Sequence, residues 1–398
     1  AFSYFRFDAP AVLHAEKDQP YAVGTPIFLQ HSPARKKLVL NILVDGLSWP
    51  AVREHFPTCM PRIAQFFERG TIFNQHFSTS EHTYPALPAI ETGRYPHHTQ
   101  VFNTQDSHEI PLDYRTLSEC MKALGYYCAA PMTGSDSVHC GAMRGYDRLI
   151  TTTWKLPAAE GCERTLCHME AFQSADLFLF LHVGDVHPYD AKDFKFSTVV
   201  ETQLPLAERL FKWNQPTASV RLPDDVIYQQ QFWAGLRTVD RSIGHLLSYI
   251  ERNYPDDAYI VNLYSDHGVS IFSTTDDGMA DIIGENASGA TWMMRGAGIP
   301  QGVVADELTS IVDIYPTLGA LCGFPVHPSI DGNLPAVFGG RARDAVYTAS
   351  MFPGQTYKLA VRSKTHALRV QTKEIVDEDG TVDFAEVIAA IYPRGHEA

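Results

Sequence analysis

Three short apolar runs, each ending against an acidic residue, constrain this chain more than any other feature. Leu38 to Val44 leads into Asp45, Leu177 to Val183 into Gly184 and Asp185, and Tyr259 to Tyr264 into Ser265 and Asp266. Unbroken apolar runs of this length suit strands buried on both faces, which belong to parallel sheets covered by helices. Helical patterns lie between them. Pro61 to Arg69 ends at Gly70, Thr116 to Leu124 ends at Gly125, and a stretch from about Val226 to Arg252 repeats apolar residues at Phe232, Leu236, Val239, Ile243, Leu246 and Ile250. The alternation predicts an α/β fold, a mainly parallel sheet sandwiched by helices. In such sheets ligands bind beyond the carboxyl ends of the strands, where the three acidic residues fall.

The 398 residues, 45% of them hydrophobic, can fill one large core. We expect a catalytic domain over residues 1–340 and a small C-terminal α+β subdomain over 341–398. Val346 to Ser350, Tyr357 to Arg362 and Ala367 to Gln371 read there as antiparallel strands before a final helical piece. Residues 188–224, with Pro188, Pro205, Pro216 and Pro223, read as a long loop or insertion near the site. A net charge of −14 argues against generic binding to nucleic acid or an anionic membrane. An anionic substrate must then be held locally, by a metal or a few placed donors. No run reaches the ~18 apolar residues of a spanning helix, and Ala1 to Pro10 lack the features of a signal peptide. The chain reads as soluble, but it starts without Met, so a processed or excised chain is expected and the compartment, cytoplasmic or extracytoplasmic, stays open. Seven cysteines without a CxxC pair read for the most part as reduced, buried thiols. Cys162 and Cys167, in what reads as a polar loop, are the one pair close enough in sequence to bridge.

Gly46 lets the chain turn sharply after Asp45, and Gly268 lets it leave strand geometry after Asp266 and His267. A carboxylate and an imidazole adjacent at a strand end can converge on one cation, with Zn²⁺ or Mn²⁺ favoured and Mg²⁺ or Ca²⁺ open. A turn or a capped strand end is the plainer alternative for each. The segment from Glu81 to Pro96 places Pro85 and Pro88 in the first turn of a helix that ends at Gly93, with Thr83 at its N-terminus. Free N–H groups there favour an anion, and a divalent cation would activate the hydroxyl. Thr83 could equally be an ordinary helix cap.

These residues resemble the sulfatase family of the alkaline phosphatase superfamily. Sulfatases carry Thr-Gly-Arg nine residues after the nucleophile, and here Thr92-Gly93-Arg94, followed by Tyr95-Pro96, stands nine residues after Thr83. The likeness continues through Val239-Asp240, Ser265-Asp266-His267-Gly268, Arg295-Gly296-Ala297-Gly298-Ile299-Pro300, Val312-Asp313-Ile314-Tyr315-Pro316-Thr317 and Asp331-Gly332. A sulfatase nucleophile is oxidised to formylglycine, which Thr cannot become, and Ala86-Leu87 replaces the Ser-Arg of that motif. The chain therefore looks more like the Thr-nucleophile members: nucleotide pyrophosphatase/phosphodiesterases, lipoteichoic acid synthases and phosphoethanolamine transferases. By that resemblance Asp45, Thr83, Asp266 and His267 hold one divalent metal, with room for a second, and Thr83 is the nucleophile. His187, in His182-Val183-Gly184-Asp185-Val186-His187-Pro188, resembles a substrate-contacting histidine that serves the leaving oxygen. Asp185 and Arg94 are further candidate substrate contacts, and Asn286 and Thr291 are polar substitutes for the lysine that sulfatases place after the Asp-His element.

The resemblance implies hydrolysis of a phosphodiester or phosphomonoester, or phosphoryl transfer, through a phosphothreonine intermediate. The substrate would be a small anionic ester, with a glycan- or lipid-linked ester included. A sulfuric ester hydrolase is the second reading, and a non-catalytic glycan- or protein-binding member of the fold is the third.

Overall fold

The three apolar runs are strands with the expected ends. The computed structural model describes residues 4–14, 20, 22–102, 108–134, 138, 140–152, 155–187, 221–223, 226–273 and 283–395. Its strands are β1 (Leu38–Val44), β2 (Thr71–Phe77), β3 (Tyr127–Met132), β4 (Arg148–Thr151), β5 (Leu177–Val183), β6 (Arg221–Pro223), β7 (Tyr259–Tyr264), β8 (Ser270–Ser273), β9 (Trp292–Gly296), β10 (Val303–Ser310), β11 (Val346–Ser350), β12 (Thr356–Arg362), β13 (His366–Ile375) and β14 (Val387–Pro393). The main sheet has eight strands in the order β10-β2-β9-β7-β1-β5-β3-β4. Its paired neighbours run parallel except at β9, which is antiparallel to both β7 and β2.

β1 sits between β5 and β7, and every one of its residues is buried. Alternate side chains of a strand point to opposite faces, so one run feeds two cores. Leu38, Leu40, Ile42 and Val44 join one core, with residues of the helices Pro61–Phe67, Ala158–Ala171 and Val226–Asn253. Val39 and Leu43 join the other, with the helices Thr83–Thr92, Leu117–Ala123 and Ile314–Cys322. The register sets Leu43 opposite both His182 on β5 and Tyr264 on β7. The carboxyl ends of the three strands therefore finish side by side, and the next residues of each chain segment meet there.

Four strands, β11 to β14, form a separate antiparallel sheet. The final helical piece expected from the sequence is instead β14, an edge strand with Ile388 and Ile391 exposed. Three of the five residues in Val-Ile-Ala-Ala-Ile are β-branched and suit a strand, and ladder pairing with β13 fixes it. The polar loop expected around Cys162 and Cys167 is helical, within Ala158–Ala171, and all seven cysteines are free. Five residues apart on a helix, the two thiols face different ways, Cys162 buried and Cys167 exposed. Most of the 188–224 insertion lies outside the described residues. Among the described residues, no helix is long and apolar enough to cross a membrane.

Candidate active site

The site grows from the three strand ends. Asp45 follows β1, and its backbone N–H donates to the Val183 carbonyl at 2.9 Å, so the ladder to β5 runs one residue past the strand. Gly46 then takes φ +70°, and a Cβ there would stand 3.1 Å from Val269 Cγ1 and 3.5 Å from His187 Cδ2. Both the left-handed turn and the close approach of Val269 favour glycine. Gly268 is required for space: a Cβ would lie 2.0 Å from the Asn286 carbonyl oxygen.

Thr83 is the first residue of the Thr83–Thr92 helix, which ends at Gly93 in the left-handed conformation. Pro88 is the sixth residue of this helix, deeper than the first turn in which the sequence placed it, and offers no N–H to the Tyr84 carbonyl. The Thr83 hydroxyl donates towards Asp45 Oδ1 at 3.5 Å and lies 3.4 Å from His267 Nε2. Asp45 Oδ1 is also 3.4 Å from His267 Nε2 and 3.6 Å from His187 Nε2. Asp266 Oδ1 accepts the Gly46 N–H at 3.2 Å, and its Oδ2 lies 3.3 Å from His267 Nε2. Asp45, Asp266 and His267 have no exposed surface, while Thr83 is half-buried.

Asp45, His187 and His267 bring one ligand atom each within 4.8 Å of one another, a grouping able to hold a metal ion. The donor set fits a divalent cation: a carboxylate oxygen beside imidazole nitrogens, in a buried place. His267 Nδ1 stands 2.7 Å from the Gly268 carbonyl, which can only accept, so Nδ1 carries a proton and Nε2 is turned to Asp45, Asp266 and Thr83. Burial pushes the pKa of His187 down to about 3, against the pull of Asp45, and keeps that ring unprotonated. Burial works against ionisation of Asp45, but His187, His182 and His267 outweigh it and hold its carboxyl well below the usual range. Burial together with the neighbouring Asp45 raises the Asp266 pKa. His267 is raised as well: burial opposes its charge, and the Asp266 and Asp45 carboxylates overcome that.

His187, assigned from the sequence to the substrate, thus stands among the metal-type donors. Arg94 and Asp185 face elsewhere. Arg94 donates to the Ser329 carbonyl at 2.9 Å and to Ser329 Oγ at 3.0 Å, with its guanidinium 4.0 Å from the centre of the Tyr114 ring. Asp185 Oδ2 accepts the Ala158 N–H at 2.7 Å, at the start of the Ala158–Ala171 helix, a capping role. The Asn286 carbonyl accepts from Ser48 Oγ, and the Thr291 hydroxyl donates to the Leu47 carbonyl at 3.0 Å, so both brace the loop after β1.

Two features escaped the sequence. His182 Nε2 lies 3.0 Å from Asp45 Oδ2, and its ring is buried. A lone histidine inside the apolar run of β5 is the only local signal; strand register supplies the rest. The second feature is a clamp on the residues before Thr83. β11 runs beside them: Ala349 N–H donates to the Thr79 carbonyl at 2.9 Å, and Thr348 Oγ1 to the Ser78 carbonyl at 2.7 Å. Ser350 Oγ donates to Glu81 Oε1 at 2.6 Å. The same Glu81 oxygen lies 3.7 Å from His82 Nδ1, and the His82 ring packs on Phe352 with centroids 4.4 Å apart.

A sequence model of the sulfatase family matches residues 37–324. The chain belongs to the sulfatase family. No curated protein sequence matches it. Among solved structures, it is similar to the phosphonate monoester hydrolase SpPMH from Silicibacter pomeroyi, at 14% identity and TM-score 0.67, covering 90% of this chain and 89% of that one. It is similar to BT1596, a 2-O GAG sulfatase, at 18% identity and TM-score 0.62, over 84% and 82% of the two chains. BT4656, solved with D-glucosamine-2-N,6-O-disulfate, aligns at 13% identity and TM-score 0.61 over 90% and 91%. At these identities the likeness establishes the sulfatase fold, and the sulfatase-family site on this chain rests on its own residues.

Proposed function

We propose that this sulfatase-family hydrolase acts on phosphate esters, or transfers a phosphoryl group, with Thr83 as nucleophile and a phosphothreonine intermediate. One observation carries the reading: an unmodified threonine hydroxyl stands at a helix N-terminus, 3.5 Å from Asp45 Oδ1 and 3.4 Å from His267 Nε2. A divalent ion held by Asp45, Asp266, His267 and the Thr83 oxygen, with His187 beside them, would lower the hydroxyl pKa and polarise the ester. Asp45 takes the Thr83 hydrogen bond and aims Oγ1. The N–H groups of the first helical turn favour the anionic group that Thr83 attacks. Oγ1 gives up its proton along the hydrogen bond to Asp45 and bonds to phosphorus as the bond to the leaving oxygen breaks; that oxygen takes a proton from water, with the neutral His187 on its side. Water or an acceptor alcohol then releases the phosphoryl group and restores the hydroxyl.

Sulfuric ester hydrolysis is the second reading, supported by the family match and by neighbours described as sulfatases. A matched panel of nitrophenyl phosphate monoester, phosphodiester, phosphonate monoester and sulfate separates the two. We expect metal-reconstituted protein to prefer a phosphorus ester, Thr83→Ala to lose about 10³-fold or more in kcat/KM, and mass spectrometry to find phosphate on Thr83. Preference for the sulfate ester would overturn the phosphoryl reading in favour of the second.

A further inference from the structure

His182 has no part in the reaction above, yet it is tied to the carboxylate that aims Thr83. It lies opposite Leu43 in the register of β5 and β1. Asp45 follows Leu43 by two residues and so emerges on the same face, one step along from the His182 ring. His182 Nε2 stands 3.0 Å from Asp45 Oδ2, and both side chains are buried. The ionised Asp45 carboxylate can only accept, so Nε2 carries the proton and donates it. Nδ1 has no hydrogen-bond partner among the described residues, which leaves the bond to Asp45 as the ring's single hydrogen bond. The backbone that carries the ring is fixed from β3. The Thr133 N–H and Oγ1 each donate to the His182 carbonyl at 3.2 Å, and Thr133 Oγ1 accepts the Leu156 N–H at 2.9 Å. A carboxylate is free to turn about its bond to Cβ. With Oδ2 held on His182, Oδ1 is left facing Thr83 at 3.5 Å, His267 at 3.4 Å and His187 at 3.6 Å.

We propose that His182 is a positioning residue whose Nε2–H pins Asp45 Oδ2, so that Oδ1 alone is presented to the divalent cation and to the Thr83 hydroxyl. The proposal rests on the reading of Asp45 as a metal ligand beside a nucleophilic Thr83, and it gives His182 no contact with the ester. Groups that hydrogen-bond to a metal ligand orient it, and their loss weakens metal binding about 10- to 100-fold.

Metal binding in the absence of any ester tests it. The full chain, stripped of metal, is titrated by calorimetry with Zn²⁺ and with Mn²⁺, as the parent and as His182→Leu, His182→Asn and His182→Gln. Leucine fills the space of the ring without a donor, asparagine carries an amide too short to reach Oδ2, and glutamine sets an amide N–H near the place of Nε2. We expect the Leu and Asn variants to bind about 10- to 100-fold more weakly and the Gln variant to stay within about threefold of the parent. With metal at saturation, and on whichever ester turns over, the Leu and Asn variants should lower kcat about tenfold and leave KM within about twofold. If the Leu variant does not fold, the Asn and Gln variants make the same comparison. Equal affinities in all the proteins, a Gln variant as weak as the Asn variant, or a loss confined to KM would overturn the positioning role and leave Asp45 a ligand. A parent that binds neither ion would overturn the metal reading, and this role with it.

Discussion

Two regions meet at Thr83, and they are held in different ways. On one side Asp45, Asp266 and His267 leave adjacent parallel strands, whose backbone ladders fix where each side chain emerges. On the other side Glu81 and His82 sit in an irregular stretch fastened by side-chain and backbone bonds from β11 of the separate antiparallel sheet. The first region presents charge and lone pairs to a reacting centre. The second packs one buried carboxylate, one imidazole and one aromatic ring against each other. In the proposed reaction the main layer supplies the groups that act on the ester bond, and the added layer holds the residues that lead into Thr83.

The largest effect should come from the first region. Asp45→Asn removes the charge that gathers three histidines and orients Thr83, and we expect kcat/KM to fall about 10³-fold or more, with bound metal lost on gel filtration. Full metal content with full activity would break the comparison at its base. Ser350→Ala in the second region should leave metal content unchanged and lower stability by about 1–3 kcal/mol, because a buried carboxylate loses its donor. Denaturant titration and metal analysis of that variant check both halves. A loss of metal from Ser350→Ala would show that the regions are one unit.

A third effect, seen in stability against pH alone, concerns the helix that links them. Glu91 is fully buried on the Thr83–Thr92 helix, and burial raises its pKa from 4.5 to about 8. Between those values the folded chain keeps a proton that the unfolded chain releases, so this residue erodes stability as pH rises from about 4.5 to about 8. Glu91→Gln should therefore melt like the parent near pH 4 and several degrees higher near pH 9. Equal melting curves at both pH values would refute the assignment.

The first region was legible in the sequence and the second was not. Strands buried on both faces need continuous apolar runs, so β1, β5 and β7 could be delimited by eye, together with the acidic residues that follow them. The helix from Thr83 to Gly93 was equally plain, because proline and glycine mark its ends. His182 needed strand register, which couples positions 137 residues apart. The Ser350–Glu81 bond joins positions 269 residues apart, with no periodicity to announce it. β14 was misread for another reason: its paired alanines suggested helix, while Val387, Ile388 and Ile391 and the pairing with β13 make it extended.

The strand order also has a bearing on how the molecule comes into being. β1 pairs with β5 and β7, which are made much later, and Thr83 meets His267 across 184 positions. Contacts so distant must wait for long loops to close, which slows folding. During synthesis Thr83 and Asp45 exist without His267 until about two-thirds of the 398 residues have been made, so the proposed reactivity would be withheld until then.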